Sequence, residues 1–120
     1  MRFKKTKKGH TKDKQTGLIW NKQQSTKPMT WEEAKTYCAS LGKGWRLPAI
    51  TELQSILDYG RSKPVLPKAF SSVVSDSYWS STTGVDLTVF AWNVNLYYGG
   101  VYFDNKTNNY YVWAVKEKKK

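Results

Sequence analysis

The stretch GWRLPAITELQSILDYGR, residues 44–61, sets a Trp-Arg-Leu-Pro corner directly before a short helix. The helix begins just after Pro48 and ends at Tyr59 and Gly60. Apolar residues at helical spacing predict its buried stripe, formed by Ile50, Leu53, Ile56 and Leu57. The expected N-cap position is held by Ala49, so a side-chain cap worth about 1 kcal/mol is missing there.

The segment MTWEEAKTYCASLG, residues 29–42, is the clearest helix in the sequence. Thr30 and Glu33 have the spacing of a capping box, and Gly42 is a stop signal. Residues at spacings of three and four predict one buried face, formed by Trp31, Ala34, Cys38 and Leu41. Cys38 is therefore interpreted as a packing residue rather than a reactive thiol.

Strands are predicted on both sides of the helices. Residues 16–22 are predicted to form a short strand that buries Leu18, Ile19 and Trp20, and residues 61–77 are expected to be a long surface loop. From Tyr78 onward the period is two, which predicts an antiparallel meander with four residues toward the core: Phe90, Trp92, Val94 and Leu96. The residues between and after them are expected to face outward: Ala91, Asn93, Asn95 and Tyr97. Helices followed by strands favour an α+β fold.

Charge is the dominant feature of the composition. Lys and Arg number 20 against 9 Asp and Glu, and the formal charge of +11 favours a polyanionic partner: nucleic acid, sulfated polysaccharide or an anionic membrane surface. The lysine runs at the two ends are typical of solvated tails, although a fold that joins the termini would make them one patch. We expect a single domain over residues 1–120, with no membrane span and with any export signal outside this chain.

Conventional catalytic residues are scarce. Cys38 is the only cysteine and His10 the only histidine, which excludes an internal disulfide, a multi-thiolate metal site and a Ser-His-Asp triad. The spacing of the aspartates, which include Asp58 and Asp104, favours turn and helix-end positions over a catalytic pair. We predict a binding protein without metal or cofactor rather than an enzyme.

Several motifs in fixed order carry a family resemblance: GHTKDKQTGLIW, MTWEEAKTYCASL, GWRLPAITELQSILDY, YWSSTT, FAWNVNL and GGVYFDNKTNNYYVWAV. Together they resemble the DUF1566 family, the C-terminal domain of the Legionella collagen-like adhesin. The resemblance implies a C-type lectin-like fold in which two helices accompany a small sheet joining the termini and a hairpin-rich sheet supporting the ligand face. It also implies a structural scaffold made of Trp45, Arg46, Leu47, Pro48, Trp79 and Trp92.

The sequence departs from the family pattern near its end. Ala114 stands where the family has a cysteine that can pair with the one in the first helix, so Cys38 has no disulfide partner and about 2–4 kcal/mol of stabilisation is absent. Trp113 stands where the family commonly has arginine, and strand alternation predicts that it points outward. An outward Trp113 is interpreted as a ligand contact or part of a subunit interface.

Two activities found in the wider lectin-like fold are excluded by residue type. Calcium-dependent sugar binding needs carboxylate and amide pairs, and the nearest match, Trp92-Asn93-Val94, has valine in place of the carboxylate. Oxidation of cysteine to formylglycine needs thiols that one buried Cys38 does not supply. We therefore predict calcium-independent, non-enzymatic binding.

The resemblance implies that sulfated glycosaminoglycans or other host-surface glycans are bound by a homo-oligomer, in the form of a trimer on a collagen-like stalk, secreted or at the bacterial surface. The predicted charge contacts are Lys4, Lys5, Lys7, Lys8, Lys116, Lys118, Lys119 and Lys120, with Arg61, Lys63 and Lys68 as secondary candidates. The second predicted ligand surface is a Tyr- and Asn-rich face: Asn93, Asn95, Tyr97, Tyr98, Tyr102 and Trp113. A sugar or base would stack there on Tyr97, Tyr98 or Trp113. Ordinary hairpin chemistry explains the same residues equally well.

Two competing functions remain open. The Tyr- and Asn-rich face from Asn93 to Trp113 would be the variable protein-binding surface if the chain belonged to a diversity-generating retroelement, which a repeat template beside the gene would reveal. Specific nucleic-acid binding has no motif in its favour, and the aromatics do not alternate with the lysines as in a stacking groove.

Overall fold

Within residues 1–117, which the computed structural model describes, the chain forms seven strands and two α-helices. The strands are β1 Phe3–Lys5, β2 Thr11–Asp13, β3 Leu18–Gln24, β4 Ser77–Thr83, β5 Phe90–Asn95, β6 Val101–Asn105 and β7 Trp113–Glu117. The helices are α1 Trp31–Ser40 and α2 Ile50–Ser55, and a 3-10 turn covers Lys68–Phe70.

The strands form two antiparallel sheets. One has the order β1-β2-β3-β7 and contains both ends of the described chain, and the other is the meander β4-β5-β6. The predicted α+β class is confirmed. The predicted element order needs two corrections, because three strands precede the helices and because β7 leaves the meander to pair with β3.

Helix α1 begins as the capping box predicts. The Glu33 N–H donates to Thr30 Oγ1 at 3.4 Å, and the Thr30 N–H donates to Glu33 Oε1 at 3.0 Å. Trp31, Ala34 and Cys38 are buried, as their spacing indicates. Burial raises the pKa of the Cys38 thiol to about 12, so Cys38 is a packing residue at neutral pH.

The Trp-Arg-Leu-Pro corner joins the two sheets. Arg46 forms an isolated bridge with Val115 of β7, and its guanidinium donates to both carboxylate oxygens of Glu52 at 2.8 and 2.9 Å. The Pro48 carbonyl accepts the N–H of Ser81 in β4 at 2.8 Å. The structural role that the resemblance assigns to this corner therefore has a physical basis.

The start of α2 lacks a local cap but is not uncapped. The Glu52 carboxylate accepts the Ala49 N–H at 2.7 Å, and Thr82 Oγ1 accepts the Ile50 N–H at 2.9 Å. The second bond comes from strand β4, which lies far away in sequence. A tertiary contact thus supplies the hydrogen-bond acceptor for the helix N-terminus that the Ala49 side chain cannot provide.

The lysine-rich N-terminus is not a tail. Phe3 packs edge-on against Phe70 with ring centroids 4.9 Å apart, and the Arg2 guanidinium donates to both oxygens of Asp13 at 2.9 and 2.8 Å. Arg2 also donates to the Ser55 carbonyl at 2.8 Å. These contacts fix the first strand to β2 and to the end of α2.

The loop over residues 61–77 also differs from the surface loop that was predicted. Leu66, Phe70 and Val73 are buried in the same apolar cluster as Trp20 and Trp113. The serines and prolines of this segment predicted that it lies on the surface. Its scattered apolar side chains instead pack against the four-stranded sheet.

Candidate functional site

Three lysines lie in one row across the four-stranded sheet. Lys4 pairs with Lys12, Lys12 with Ile19, and Ile19 with Lys116. Directly opposed residues of paired strands point to the same side of a sheet. With neighbouring strands about 4.8 Å apart, the row extends about 14 Å from Lys4 to Lys116. We call this side of the sheet, together with the residues around His10 at its end, the basic face.

Strand alternation places the carboxylates of these four strands on the other side. Asp13 pairs with Phe3, and Glu117 pairs with Leu18, in rows that alternate with the lysine row. Asp13 is bonded to Arg2, and the Glu117 carboxylate lies 3.6 Å from Arg46. The potential over the lysine row is therefore not neutralised by acidic residues of its own strands.

Trp45 and His10 form the end of the basic face. The Lys116 Nζ lies 4.7 Å from the Trp45 ring centroid, and the His10 ring packs edge-on against Trp45 at 4.9 Å. His10 Nδ1 accepts the backbone N–H of Lys22 at 3.0 Å. The imidazole is thus held between the corner and strand β3.

Burial and the surrounding positive charges both oppose protonation of His10. Partial burial lowers its pKa below the ordinary value, and the positive charges of Lys22, Lys116 and Lys8 lower it further. A depressed histidine pKa requires a net positive potential or a desolvated site, and both are present here. Cations from three separate segments of the chain therefore act on one point.

The predicted charge contacts divide into four groups. Lys4, Lys8 and Lys116 belong to the basic face, while Lys7 is exposed in the turn between β1 and β2. Lys5 pairs with Thr11 in the alternate row and points to the other side. The remaining three, Lys118, Lys119 and Lys120, lie outside the described residues.

Sequence reasoning missed three members of the basic face: His10, Lys12 and Lys22. None of them was predicted to bind a ligand, because the hairpin β1-β2 was not recognised. The signal that could have found them is the alternation within TKDK, where Lys12 and Asp13 occupy opposite sides once the segment is taken as a strand.

The secondary charge candidates lie elsewhere. Arg61 and Lys68 line a shallow groove in the long loop with Ser62 and Ser71, and Lys63 is exposed in the same loop. The turn Lys68–Phe70 lies against the opposite side of the sheet, since the Phe70 and Trp113 ring centroids are 4.9 Å apart. The structure does not bring these cations together with the basic face.

Asn93 is buried, which corrects its predicted outward position. Its side chain is 1% exposed, and Nδ2 donates to Asp104 Oδ2 at 2.8 Å. The Tyr110 hydroxyl donates to the same oxygen at 2.9 Å. Strand β5 is the middle strand of its sheet, with Ala91 in one apolar cluster and Val94 in the other, so both of its sides are covered and alternation does not separate core from solvent.

Phe90 and Trp92 were predicted to point into the core, and this is also corrected. Both are half-buried, and Trp92 stacks on Phe103 of β6 with ring centroids 4.7 Å apart. Leu96 and Val94 are fully buried, as predicted. This side of β5 is thus buried in the core at Val94 and the following Leu96, whereas Phe90 and Trp92, at the start of the strand, lie beside β6.

The prediction that Trp113 points outward is wrong. It is 1% exposed, its Nε1 donates to the Asn21 carbonyl at 2.8 Å, and its ring lies 4.7 Å from that of Trp20. Ala114 and Val115 are fully buried as well, so β7 is covered on both sides. Trp113 is a core residue, and neither a ligand contact nor a subunit interface accounts for it.

The remaining Tyr and Asn residues form the tip of the hairpin β5-β6. Asn95 Oδ1 accepts the N–H groups of Tyr97 and Tyr98, both at 2.9 Å. Tyr98 is 67% exposed and Tyr102 48%. Tyr59, which follows α2 and was not predicted to take part, is exposed beside them and donates its hydroxyl to the Gly99 carbonyl at 3.1 Å.

Most of the other residues that the resemblance names as scaffold are buried. Trp79 is fully buried, donates its Nε1 to the Met29 carbonyl at 2.9 Å and packs edge-on against Tyr110. Leu47 and Pro48 are buried, and Trp45 is 9% exposed. Trp92, at the hairpin surface, is half-buried and lies outside the two buried clusters.

Residues 1–117 contain no cluster of three or more His, Cys, Asp or Glu side chains arranged to hold a metal ion. In the same part of the chain, neither helix has the length and apolar character that crossing a bilayer requires. Residues 9–116 match the family model described as the Lcl C-terminal domain. No curated protein matches the chain.

Proposed function

We propose that this chain, which belongs to the Lcl C-terminal domain family, binds sulfated glycans through its basic face without calcium. The family is adhesin-associated rather than enzymatic, and its members are associated with secreted or surface proteins. The observation that carries the proposal is the row of Lys4, Lys12 and Lys116, from which the sheet's carboxylates are excluded.

The chemistry of the row suits a polyanion with regularly repeated charges. Lysine ammonium groups are compact point charges that need no fixed bidentate geometry, so they tolerate sulfate esters and carboxylates at variable positions. Lys8 and Lys22 extend the charge beyond the row, around His10. Such binding is strong at low salt and weakens as ions screen the charges.

The same proposal includes a C-type lectin-like fold and a secreted or surface-exposed protein. It is supported by the presence of the first and last described strands in one sheet, with the helices between them in sequence. Calcium independence is supported by Val94, an apolar and fully buried residue that stands where the nearest calcium pattern has a carboxylate. Assembly into trimers, which the resemblance implies, would multiply the basic face and add avidity.

A second candidate function uses the hairpin tip. Tyr59, Tyr98 and Tyr102 are exposed aromatic side chains on neighbouring segments, and such residues are effective protein contacts. A variable protein-binding surface of the retroelement type would lie there. The asparagines of this region have internal partners, so the exposed tyrosines alone favour this candidate.

The test compares two variants that each lose three positive charges. In one, Lys8, Lys22 and Lys116 are changed to Gln, and in the control Lys27, Lys35 and Lys106 are changed to Gln. Lys35 and Lys106 lie over the ring of Trp31 at the N-terminus of α1, and Lys27 lines a groove with Glu33 of the same first turn, so the control lysines belong to another part of the surface. Affinity for heparin, desulfated heparin and duplex DNA is measured over a salt series.

The expected result is tighter binding of heparin than of either competitor and a loss of about tenfold or more in the basic-face variant alone. Equal losses in both variants would mean that only net charge matters. Equal binding of heparin and DNA of matched charge would also overturn the proposal, and would direct attention to the tyrosines of the hairpin tip.

A further inference from the structure

His10 is the only histidine of the chain and lies where the cations of the basic face converge. Its ring contacts Trp45, its Nδ1 accepts the Lys22 N–H, and its backbone N–H donates to Thr6 Oγ1 at 3.1 Å. The side chain is therefore fixed in place. Nothing in the charge distribution of the unliganded chain favours an additional cation at this position.

We infer that His10 is a conditional cation of the basic face, neutral in the free protein and protonated when a sulfated glycan binds, so that binding tightens as the medium becomes more acidic. The inference rests on the proposed function, because it concerns how that same site is regulated. It adds a residue and a pH dependence that the lysines alone would not give.

Three features of the free protein disfavour protonation of the His10 imidazole. The ring is partly desolvated, its Nδ1 lone pair is occupied by the Lys22 N–H, and the neighbouring charges are all positive. Lys8 acts from the hairpin turn, Lys22 from β3 and Lys116 from β7, while the corner contributes the neutral Trp45. Lys12 follows two residues later on the same side of β2, and Asp13 is on the other side.

A bound sulfated chain reverses the sign of this environment. Sulfate groups placed against the lysines neutralise the charges that repel a proton, and an anion beside an imidazole stabilises its charged form. Protonation at Nδ1 ends the hydrogen bond from the Lys22 N–H, and the ring then carries a positive charge and an N–H donor at both nitrogens. The bound state therefore holds the proton more tightly than the free state.

The linkage fixes the direction of the effect. When the pKa of a group is higher in the complex than in the free protein, binding takes up protons, and affinity rises as the pH falls through the interval between the two pKa values. Each unit by which the ligand raises the pKa corresponds to about a tenfold difference in affinity between the acidic and basic limits. Ordinary carboxyl groups stay largely ionised above about pH 5.5, so they contribute little over this interval.

The test uses a heparin-derived oligosaccharide at constant ionic strength, at about pH 8 and about pH 5.5. The matched control is His10→Asn, because the Asn side-chain oxygen can accept the Lys22 N–H but does not titrate. The ratio of affinities at the two pH values is compared within each protein. The His10 imidazole C–H resonance, unambiguous in a chain with one histidine, gives the pKa with and without ligand.

We expect the affinity of the wild type to rise at least about threefold on acidification, the His10→Asn ratio to stay near one, and the ligand to raise the His10 pKa. Equal ratios in the two proteins, or an unchanged His10 pKa at saturating ligand, would overturn the inference while leaving the proposed function intact. No binding at either pH would overturn the proposed function and the inference with it.

Discussion

The two sheets use their polar side chains in different ways. In the four-stranded sheet, Lys4, Lys12 and Lys116 occupy one side, and the carboxylates occupy the other. In the meander β4-β5-β6, polar residues are bonded within the hairpins themselves. Polar residues that hydrogen-bond within their own hairpin stabilise the fold, which explains their presence. A row of like charges on one side of a sheet destabilises the fold by repulsion, and this favours a functional explanation.

Asparagine shows the difference most clearly. Asn95 Oδ1 accepts two backbone N–H groups of its turn, and Asn105 Oδ1 accepts the N–H and the hydroxyl of Thr107 at 2.9 and 2.8 Å. Asn93 bonds to Asp104 beneath the surface. The asparagines that suggested a contact surface therefore mainly stabilise turns and the core through internal hydrogen bonds.

Truncating the core of the four-stranded sheet should have the largest effect. Trp113→Ala is expected to lower the free energy of unfolding by about 3–5 kcal/mol, because it leaves a cavity beside Trp20 and Phe70. Urea denaturation measures the change. A loss below about 1 kcal/mol accompanied by loss of heparin affinity would restore the contact role that alternation predicted for Trp113.

A smaller effect is expected at the anchor of the N-terminal strand. Burial alone would raise the pKa of Asp13, but hydrogen bonds from Arg2 and the Gln15 N–H outweigh it, so the folded-state pKa is lowered. This group stabilises the fold above its unfolded pKa, and the stabilisation is lost as the pH falls through the folded pKa. Asp13→Asn should cost about 2 kcal/mol at neutral pH and flatten the acid branch of the stability curve.

The control for this prediction is Glu32→Gln, since Glu32 is an exposed residue that pairs with Lys35 on the surface of α1. Its effect should stay within about 0.5 kcal/mol. An acid branch equally steep in wild type and Asp13→Asn would show that another group governs the loss of stability at low pH.

The hairpin tip should respond as a structural turn. Asn95→Ala removes an acceptor shared by two N–H groups and is expected to lower the free energy of unfolding by about 1 kcal/mol. Heparin affinity, measured by calorimetry, should not change. Weaker heparin binding at unchanged stability would move the glycan site to this hairpin.

The smallest effect is expected for the most exposed tyrosine of the hairpin. Tyr98 is 67% exposed and contacts Tyr97 edge-on, so Tyr98→Ala should change stability by less than about 0.5 kcal/mol and leave heparin affinity unchanged. A clear drop in heparin affinity would contradict the division of roles between the two sheets.

Local signals allowed both helices and their starts to be predicted, although α2 ends at Ser55 and not at Tyr59. The capping box at Thr30, the buried spacing of Trp31, Ala34 and Cys38, and the stripe of α2 depend on residues within one or two turns of each other. Position 49 was correctly seen to lack a cap of its own. Its replacement by Thr82 was not predictable, because it depends on how β4 is placed against α2.

Strand orientation failed where layers cover both sides. Alternation identifies the buried side only of a strand with one exposed side, and neither β5 nor β7 is such a strand. The hairpin β1-β2 was missed because its lysines have low strand propensity and its anchors, Arg2 to Asp13 and Phe3 to Phe70, are tertiary contacts. The basic face depends on how four strands are aligned with one another, and this register is not predictable from any single segment of sequence.

The most direct test of the central claim is to map a bound heparin tetrasaccharide on the wild-type protein from backbone amide and indole N–H chemical shifts. The account predicts saturable shifts at His10, Lys12, Lys22, Lys116 and the indole of Trp45, with the turn at Gly99 unaffected. Shifts concentrated at Tyr59, Tyr98, Gly99 and Tyr102, with the four-stranded sheet unperturbed, would contradict it.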